Sequence, residues 1–157
     1  MTRQDICEFM KRHTLAVLST VSADETPEAA LVGIAVTGDF EIVFDTARSS
    51  RKHDNLVRNP NIALVIGWES QETLQYEGVA TELRGAELKR YEDVYFRVFP
   101  DGHARRRSRD IAYFVVRPVW VRYSSFKKQH EQIVEFTFAE ATGKHGLRAP
   151  TTLVREH

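Results

Sequence analysis

The chain has 157 residues, in which 22 lysines and arginines balance 22 aspartates and glutamates, so that the formal net charge is zero. This length is typical of a single compact domain, and the balanced charge argues against a general binder of nucleic acid or anionic membrane, because such proteins rely on a net basic field. The lone Cys7, the charged start of the chain and the lack of any apolar run of about 20 residues predict a cytoplasmic protein that does not span a membrane.

Local patterns divide the chain into short helices and strands. Thr2 and Asp5 form a capping pattern ahead of apolar residues at helical spacing, and runs of β-branched and aromatic residues then predict strands separated by polar turns. A polar segment with serines at its start predicts a middle helix that Pro60 ends. The predicted elements are, in chain order, helix 3–12, strands 14–21, 28–37 and 40–45, helix 49–59, strands 62–68 and 73–83, helix 85–98, and strands 111–117, 119–126 and 132–138.

These patterns give about eight strands and three short helices, with most strands adjacent in sequence. Strands without long crossover helices pair antiparallel, so we predict a mainly β, α+β fold: an antiparallel β-barrel with a few short flanking helices. No linker, internal repeat or low-complexity tract divides the chain. We therefore predict a single domain over residues 1–139 and an irregular C-terminal tail over residues 140–157.

Positive charge is concentrated at the start of the predicted middle helix, at Arg48, Arg51, Lys52 and His53. A helix dipole favours acidic residues in the first turn by about 0.3–1 kcal/mol each, so these cations contradict the local preference. A bound phosphate would resolve the contradiction, because it accepts from the free N–H groups of the first turn and pairs with the cations. A solvated basic turn with Asp54 as its partner explains the charges about equally well, and the pattern alone leaves both readings open.

The segment that follows the third predicted strand carries a family resemblance. A strand ending in VFDT, a loop with SSRK, a helix ending in NLVRNP and a strand NIALVIGW follow one another, and residues 43–67 are the most specific part. This order resembles the flavin-binding core of the pyridoxamine 5′-phosphate oxidase-like family. The likeness continues through LQYEGVATEL and RPVWVRYSSF and covers roughly residues 10–126. It implies a split β-barrel that binds FMN at a homodimer interface.

The resemblance also implies which residues bind the cofactor. Arg51 and Lys52 would hold the FMN phosphate, assisted by the hydroxyls of Thr46 and Ser50. Charge-assisted bonds of this kind contribute about 1.5–3 kcal/mol each. Further contacts would come from backbone groups just before the loop and from a strand residue near the edge of the cofactor, namely Phe44, Asp45 and Gln75. An exposed position on an alternating strand explains Gln75 equally well.

A second copy of the chain is expected to complete the site. In RPVWVRYSSF the resemblance places Trp120 and Tyr123 near the flavin of the other protomer. The expected partners are a second copy of the chain, with the cofactor at the interface, and a small-molecule substrate, but neither nucleic acid nor a membrane. The vitamin B6 oxidase itself carries an Arg-Leu-x-Pro-like ending that residues 147–150 (LRAP) match only in part, so the sequence does not identify the substrate.

Other features indicate no further site. The arginine run at residues 105–109 lacks interleaved aromatic residues and is predicted to be a solvated loop, and the six histidines show no metal-ligand spacing. The leading hypothesis is an FMN-dependent oxidoreductase, in which the flavin performs the redox step and no catalytic side chain is assigned. A non-catalytic flavin- or haem-binding protein and a deazaflavin-dependent reductase on the same fold remain open.

Overall fold

The computed structural model describes residues 1–127, 131–138 and 152–155. In these ranges the helices are α1 (Arg3–Lys11), α2 (Arg51–Arg58), α3 (Gly85–Val98) and α4 (Gly102–Ser108). The strands are β1 (Leu15–Val21), β2 (Pro27–Gly33), β3 (Ala35–Val36), β4 (Ile42–Ala47), β5 (Asn61–Ile66), β6 (Glu72–Glu82), β7 (Ile111–Ser125), β8 (Gln132–Thr137) and β9 (Thr152–Arg155). None of the helices in these ranges is long and apolar enough to cross a membrane.

The strands form one antiparallel sheet in the order β2-β1-β5-β6-β7-β4-β3, with β8 beside β7 and β9 beside β8. β2 and β3 lie at opposite ends of this order, yet only Ile34 separates them in sequence. The chain therefore joins the two edges directly and curls the sheet into a half-barrel. This result confirms the predicted mainly β fold, an antiparallel split barrel with a few short flanking helices.

Two apolar clusters hold the fold together, and β4 contributes to both. Ile42 and Phe44 face the larger cluster inside the barrel, whereas Val43 faces a second cluster with Tyr95 of α3 and Tyr113 of β7. Successive residues of a strand point to opposite faces, so a strand buried on both faces is apolar at every position in its buried part. β4 is therefore fixed between the barrel interior and the layer of helices.

The segment around Pro118 forms one strand, where the sequence predicts two. β6 pairs with β7 on both sides of Pro118, from Phe114 to Ser125, and the register shifts between Glu77 and Gly78, opposite Pro118 and Trp120. A β-bulge tolerates a residue that cannot donate to the ladder, so the proline does not end the strand. The predicted strand 28–37 is likewise wrong as a single element, because Ile34 divides it into β2 and β3.

Two segments predicted to lack regular structure are ordered. The arginine run lies largely in α4, where Arg105 pairs with Asp101 one turn earlier at 3.3 Å and with Asp45 of β4 at 3.5 Å. The solvated loop predicted there is wrong, because acidic partners from other elements stabilise a helix. In the C-terminal tail, Thr152–Arg155 forms β9 and pairs with β8, whereas 139–151, which include the LRAP segment, lie outside the described residues.

Candidate functional site

The first turn of α2 gathers the hydroxyls that the sequence predicts beside a phosphate. Ser50 is the N-cap residue, and its Oγ accepts from the backbone N–H of His53 at 3.3 Å. The hydroxyls of Ser50 and Thr46 hydrogen-bond to each other at 2.8 Å, and Thr46 is buried. This cap satisfies the third amide of the helix, while the amides of Arg51 and Lys52 have no acceptor within it. The start of α2 thus presents two backbone donors next to two cationic side chains.

A cavity of 260 Å³ lies beside this turn and is lined by Leu18, Thr20, Glu28, Ala29, Ala30, Arg51 and Lys52. Its walls are built from two directly opposed pairs of β1 and β2 residues, Leu18 with Ala30 and Thr20 with Glu28. Small-molecule sites usually enclose about 300–1,000 Å³. The cavity of a single chain is slightly smaller than this range.

The two cations at the cavity differ in their surroundings. Arg51, whose side chain is 82% exposed, donates from Nη2 to the carboxylate of Glu28, whose side chain is only 19% exposed. Lys52, by contrast, makes no ion pair with any residue in the described ranges. Lys52 therefore carries the uncompensated charge of the cavity, and Arg51 is shared with an internal carboxylate.

Glu28 is also fixed from the opposite side. Asn55, which is 3% exposed, donates from Nδ2 to Glu28 Oε2 at 2.8 Å and to the hydroxyl of Thr20 at 3.0 Å. The Asn55 amide, and after it the Arg51 guanidinium, hold the pKa of Glu28 below its usual range. These contacts tie α2 to β1 and β2 and keep a negative charge at the cavity.

The other two basic residues of the predicted cluster, Arg48 and His53, do not line the cavity. Arg48 forms ion pairs with Glu82 and, at 3.1 Å from Nε, with Asp110. His53 Nε2 lies 3.9 Å from Glu82 Oε2, and the ring packs edge-on against Phe114. The structure thus divides the four basic residues into a pair at the cavity and a pair beside β6 and β7.

Phe44 and Asp45 lie on opposite faces of β4, and neither side chain lines the cavity. Phe44 is fully buried and stacks on Phe114, with ring centroids 5.5 Å apart. Asp45 faces the helices and pairs with Arg105 of α4. Burial, and then the nearby charge of Asp45, raise the pKa of Tyr113. Phe44 and Asp45 therefore contribute no side chain to this cavity.

Strand alternation separates the residues predicted from the later strands. Gln75 is exposed on β6, and Trp120 is half-buried on β7 opposite the exposed Glu77, so both lie on the outward side of the sheet. Tyr123 is 1% exposed, packs against Phe9 with ring centroids 5.3 Å apart, and donates its hydroxyl to Glu72. The structure does not bring Tyr123 to the outward side with Trp120.

Glu28 and Thr20 are the residues of this site that sequence reasoning missed. They flank the turn between the first two predicted strands, so a hairpin pattern indicates that they face each other. Nothing in that local pattern places α2 over the pair. The tertiary structure shows that these strands wall the cavity at α2, because Asn55 of this helix donates to Thr20 although the two residues are 35 positions apart in the sequence.

These features define the class of protein: an antiparallel split barrel with a cation-lined cavity at the N-terminus of a short helix. A family model described as pyridoxamine 5′-phosphate oxidase matches residues 2–144, and the chain belongs to this family. A pyridoxine/pyridoxamine 5′-phosphate oxidase of Anaeromyxobacter dehalogenans is 35% identical over 88 residues, which are 55% of this chain and 42% of that protein. The match therefore covers less than half of that relative.

Solved structures share the fold at low sequence identity. A pyridoxamine 5′-phosphate oxidase-related, FMN-binding protein from Nostoc punctiforme superposes with a TM-score of 0.73 at 11% identity, covering 98% of this chain and 96% of that chain. A haem-binding protein from Mycobacterium smegmatis superposes with a TM-score of 0.70 at 17% identity, covering 87% of this chain and 59% of that chain. These similarities establish the split-barrel architecture.

Proposed function

We propose that this protein binds FMN with the phosphate in the cavity beside α2 and acts as an oxidoreductase on a small molecule. The observation that carries the proposal is the position of Arg51 and Lys52, which border a cavity at the capped start of a helix. Membership of the family and the FMN-binding protein of the same fold support the choice of cofactor.

The donors at the cavity match the chemistry of a phosphate. Lys52 offers a cation without an ion-pair partner in the described ranges, and the exposed Arg51 side chain can turn towards an anion. The two amides of the first turn add donors aligned with the helix dipole. Bound FMN would supply hydride or electron-pair transfer, and the residues of the chain would anchor and orient it.

We further propose that two chains pair through the outward side of β2, β1 and β5, which we call the outer face. Leu31, Val17 and Val65 lie opposite one another across these strands, and Leu31 and Val65 are 60% and 38% exposed. Ala29 points to the same side as Leu31 and also lines the cavity. A second copy on this face would cover the cavity mouth and enclose the part of the cofactor that one chain does not.

The cofactor is tested first on freshly purified protein, by its absorbance spectrum and by mass spectrometry of what acid releases. A flavin spectrum with FMN in the released fraction supports the proposal. A deazaflavin or haem in that fraction would assign one of the alternative functions and contradict it. Reduction of the bound flavin by NADH or NADPH, followed by turnover of an acceptor, separates an oxidoreductase from a protein that only stores flavin.

Binding titrations test the phosphate site itself. Charge-assisted bonds contribute about 1.5–3 kcal/mol, so Arg51→Ala or Lys52→Ala should weaken FMN binding about tenfold or more. Arg58→Ala removes an exposed cation from the other end of α2 and serves as the matched control, with an expected change below about twofold. Unchanged FMN affinity in both Arg51→Ala and Lys52→Ala would refute the site.

A further inference from the structure

The carboxylate of Glu28 is an unexpected neighbour for a phosphate. It lines the cavity together with Arg51 and Lys52. Side chains alternate along β2, so Glu28 points to the inner side of the strand and its neighbour Ala29 points to the outer side. Among the residues that line the cavity, Glu28 is the only one with a negative charge. The cavity therefore contains both signs of charge.

The contacts of Glu28 prevent it from simply moving aside. Its Oε2 accepts from the buried amide of Asn55, which is itself bonded to Thr20, whereas the guanidinium that binds Oε1 belongs to the exposed Arg51. An incoming phosphate can recruit Arg51, since that side chain is free to turn in solvent. It cannot displace Glu28 without breaking the bonds of a buried amide.

We infer that Glu28 is a specificity-determining residue that weakens the binding of a phosphate in this cavity, and weakens it more for a doubly charged phosphate than for a singly charged one. This inference rests on the proposed phosphate site. Arg51, Lys52 and Glu28 together carry one net positive charge, to which the helix adds about half a charge. A phosphate monoester carries up to two negative charges, whereas a phosphodiester carries one.

The charge of Glu28 persists across the pH range in which a phosphate monoester changes its own charge. Asn55 and Arg51 keep the pKa of Glu28 below its usual range, and the other charged groups facing it are Lys52 of α2 and Asp24 of the β1–β2 turn. The pKa of Asp24 is also lowered, by its bond with the Ser22 hydroxyl. Both carboxylates are therefore ionised at about pH 5 and about pH 8, while a phosphate monoester loses its second proton near pH 6.

The test compares wild type with Glu28→Gln, whose amide oxygen still accepts from Asn55. Flavin fluorescence titrations with FMN and with riboflavin, which lacks the phosphate, measure both affinities. At about pH 8, Glu28→Gln should bind FMN about tenfold more tightly. At about pH 5 the phosphate carries half the charge, so the gain should fall to about threefold. Riboflavin affinity should not change at either pH.

A matched control separates this local effect from net charge. Glu69→Gln removes an exposed carboxylate in the loop after β5 and should leave the affinities for FMN and riboflavin unchanged. Two outcomes would overturn the inference and leave the proposed function intact, provided that the wild type binds FMN. In the first, Glu28→Gln raises the affinities for FMN and riboflavin equally. In the second, Glu28→Gln leaves the affinity for FMN unchanged. Failure of both proteins to bind FMN at all would overturn the two together.

Discussion

Replacing Asn55 by alanine removes two of the hydrogen bonds that tie α2 to the first two strands beside the cavity. The Asn55 amide is 3% exposed and bonds to the hydroxyl of Thr20, itself 3% exposed, as well as to Glu28. Removing one partner from a buried polar pair destabilises a protein by about 1–3 kcal/mol. For a chain of this size each kcal/mol corresponds to about 2–4 °C in Tm, so the middle of the range predicts a fall of about 4–8 °C.

Thermal and urea unfolding followed by circular dichroism measure this change. Asn61→Ala is the matched control, because the Asn61 side chain is exposed and, within the described part of the chain, donates to the nearby Asn59 alone, at 3.1 Å. We expect the control to change the free energy of unfolding by less than about 0.5 kcal/mol. FMN affinity should fall in Asn55→Ala as well, since the first turn of α2 loses its anchor. Equal stability of the two variants would show that Asn55 does not hold the helix in place.

Two further predictions concern the stability of the core and the outer face. Burial, and then the bond to Glu72, raise the pKa of Tyr123 to about 12, above about 10 for a free tyrosine. As the pH rises, the Tyr123 hydroxyl therefore loses its proton at a lower pH in the unfolded chain than in the folded protein. The free energy of unfolding should accordingly decrease between about pH 10 and about pH 12. Urea titrations should show a smaller decrease for Tyr123→Phe, and an identical pH dependence in both proteins would contradict this assignment. On the outer face, Leu31→Glu should convert the proposed dimer to a monomer, as measured by sedimentation velocity, and should weaken FMN binding. The control Val98→Glu, on the exposed side of α3, should change neither the oligomeric state nor the FMN affinity. A Leu31→Glu protein that stays dimeric would refute the interface.

Local signals in the sequence were sufficient for several elements. The pattern at Thr2 and Asp5 predicts the start of α1, and the structure shows the reciprocal capping box there. Ser50 caps α2 as its residue type indicates, and the helix ends before Pro60. These signals act over three or four residues, so they do not depend on the rest of the fold.

Prediction failed where distant residues determine the local conformation. The arginine run forms α4, in which Arg105 meets Asp45 of β4 and Arg106 meets Glu92 of α3. Pro118 lies within β7 because a register shift in β6 accommodates it. The sequence next to the arginine run does not reveal Asp45 or Glu92, because these partners lie on other elements. The sequence next to Pro118 does not reveal the register shift, because that shift depends on pairing across the sheet.

The sequence by itself determined the class of fold and predicted an anion site at the start of α2, because periodicity, capping residues and the motif SSRK are local properties. The tertiary structure decided which charges meet at that site. It turned Arg48 and His53 towards Glu82, and it brought Glu28 to Arg51 from a strand 23 residues away. Local patterns specify the conformation of short segments, whereas the electrostatic balance of a site depends on how elements that are far apart in the sequence pack together.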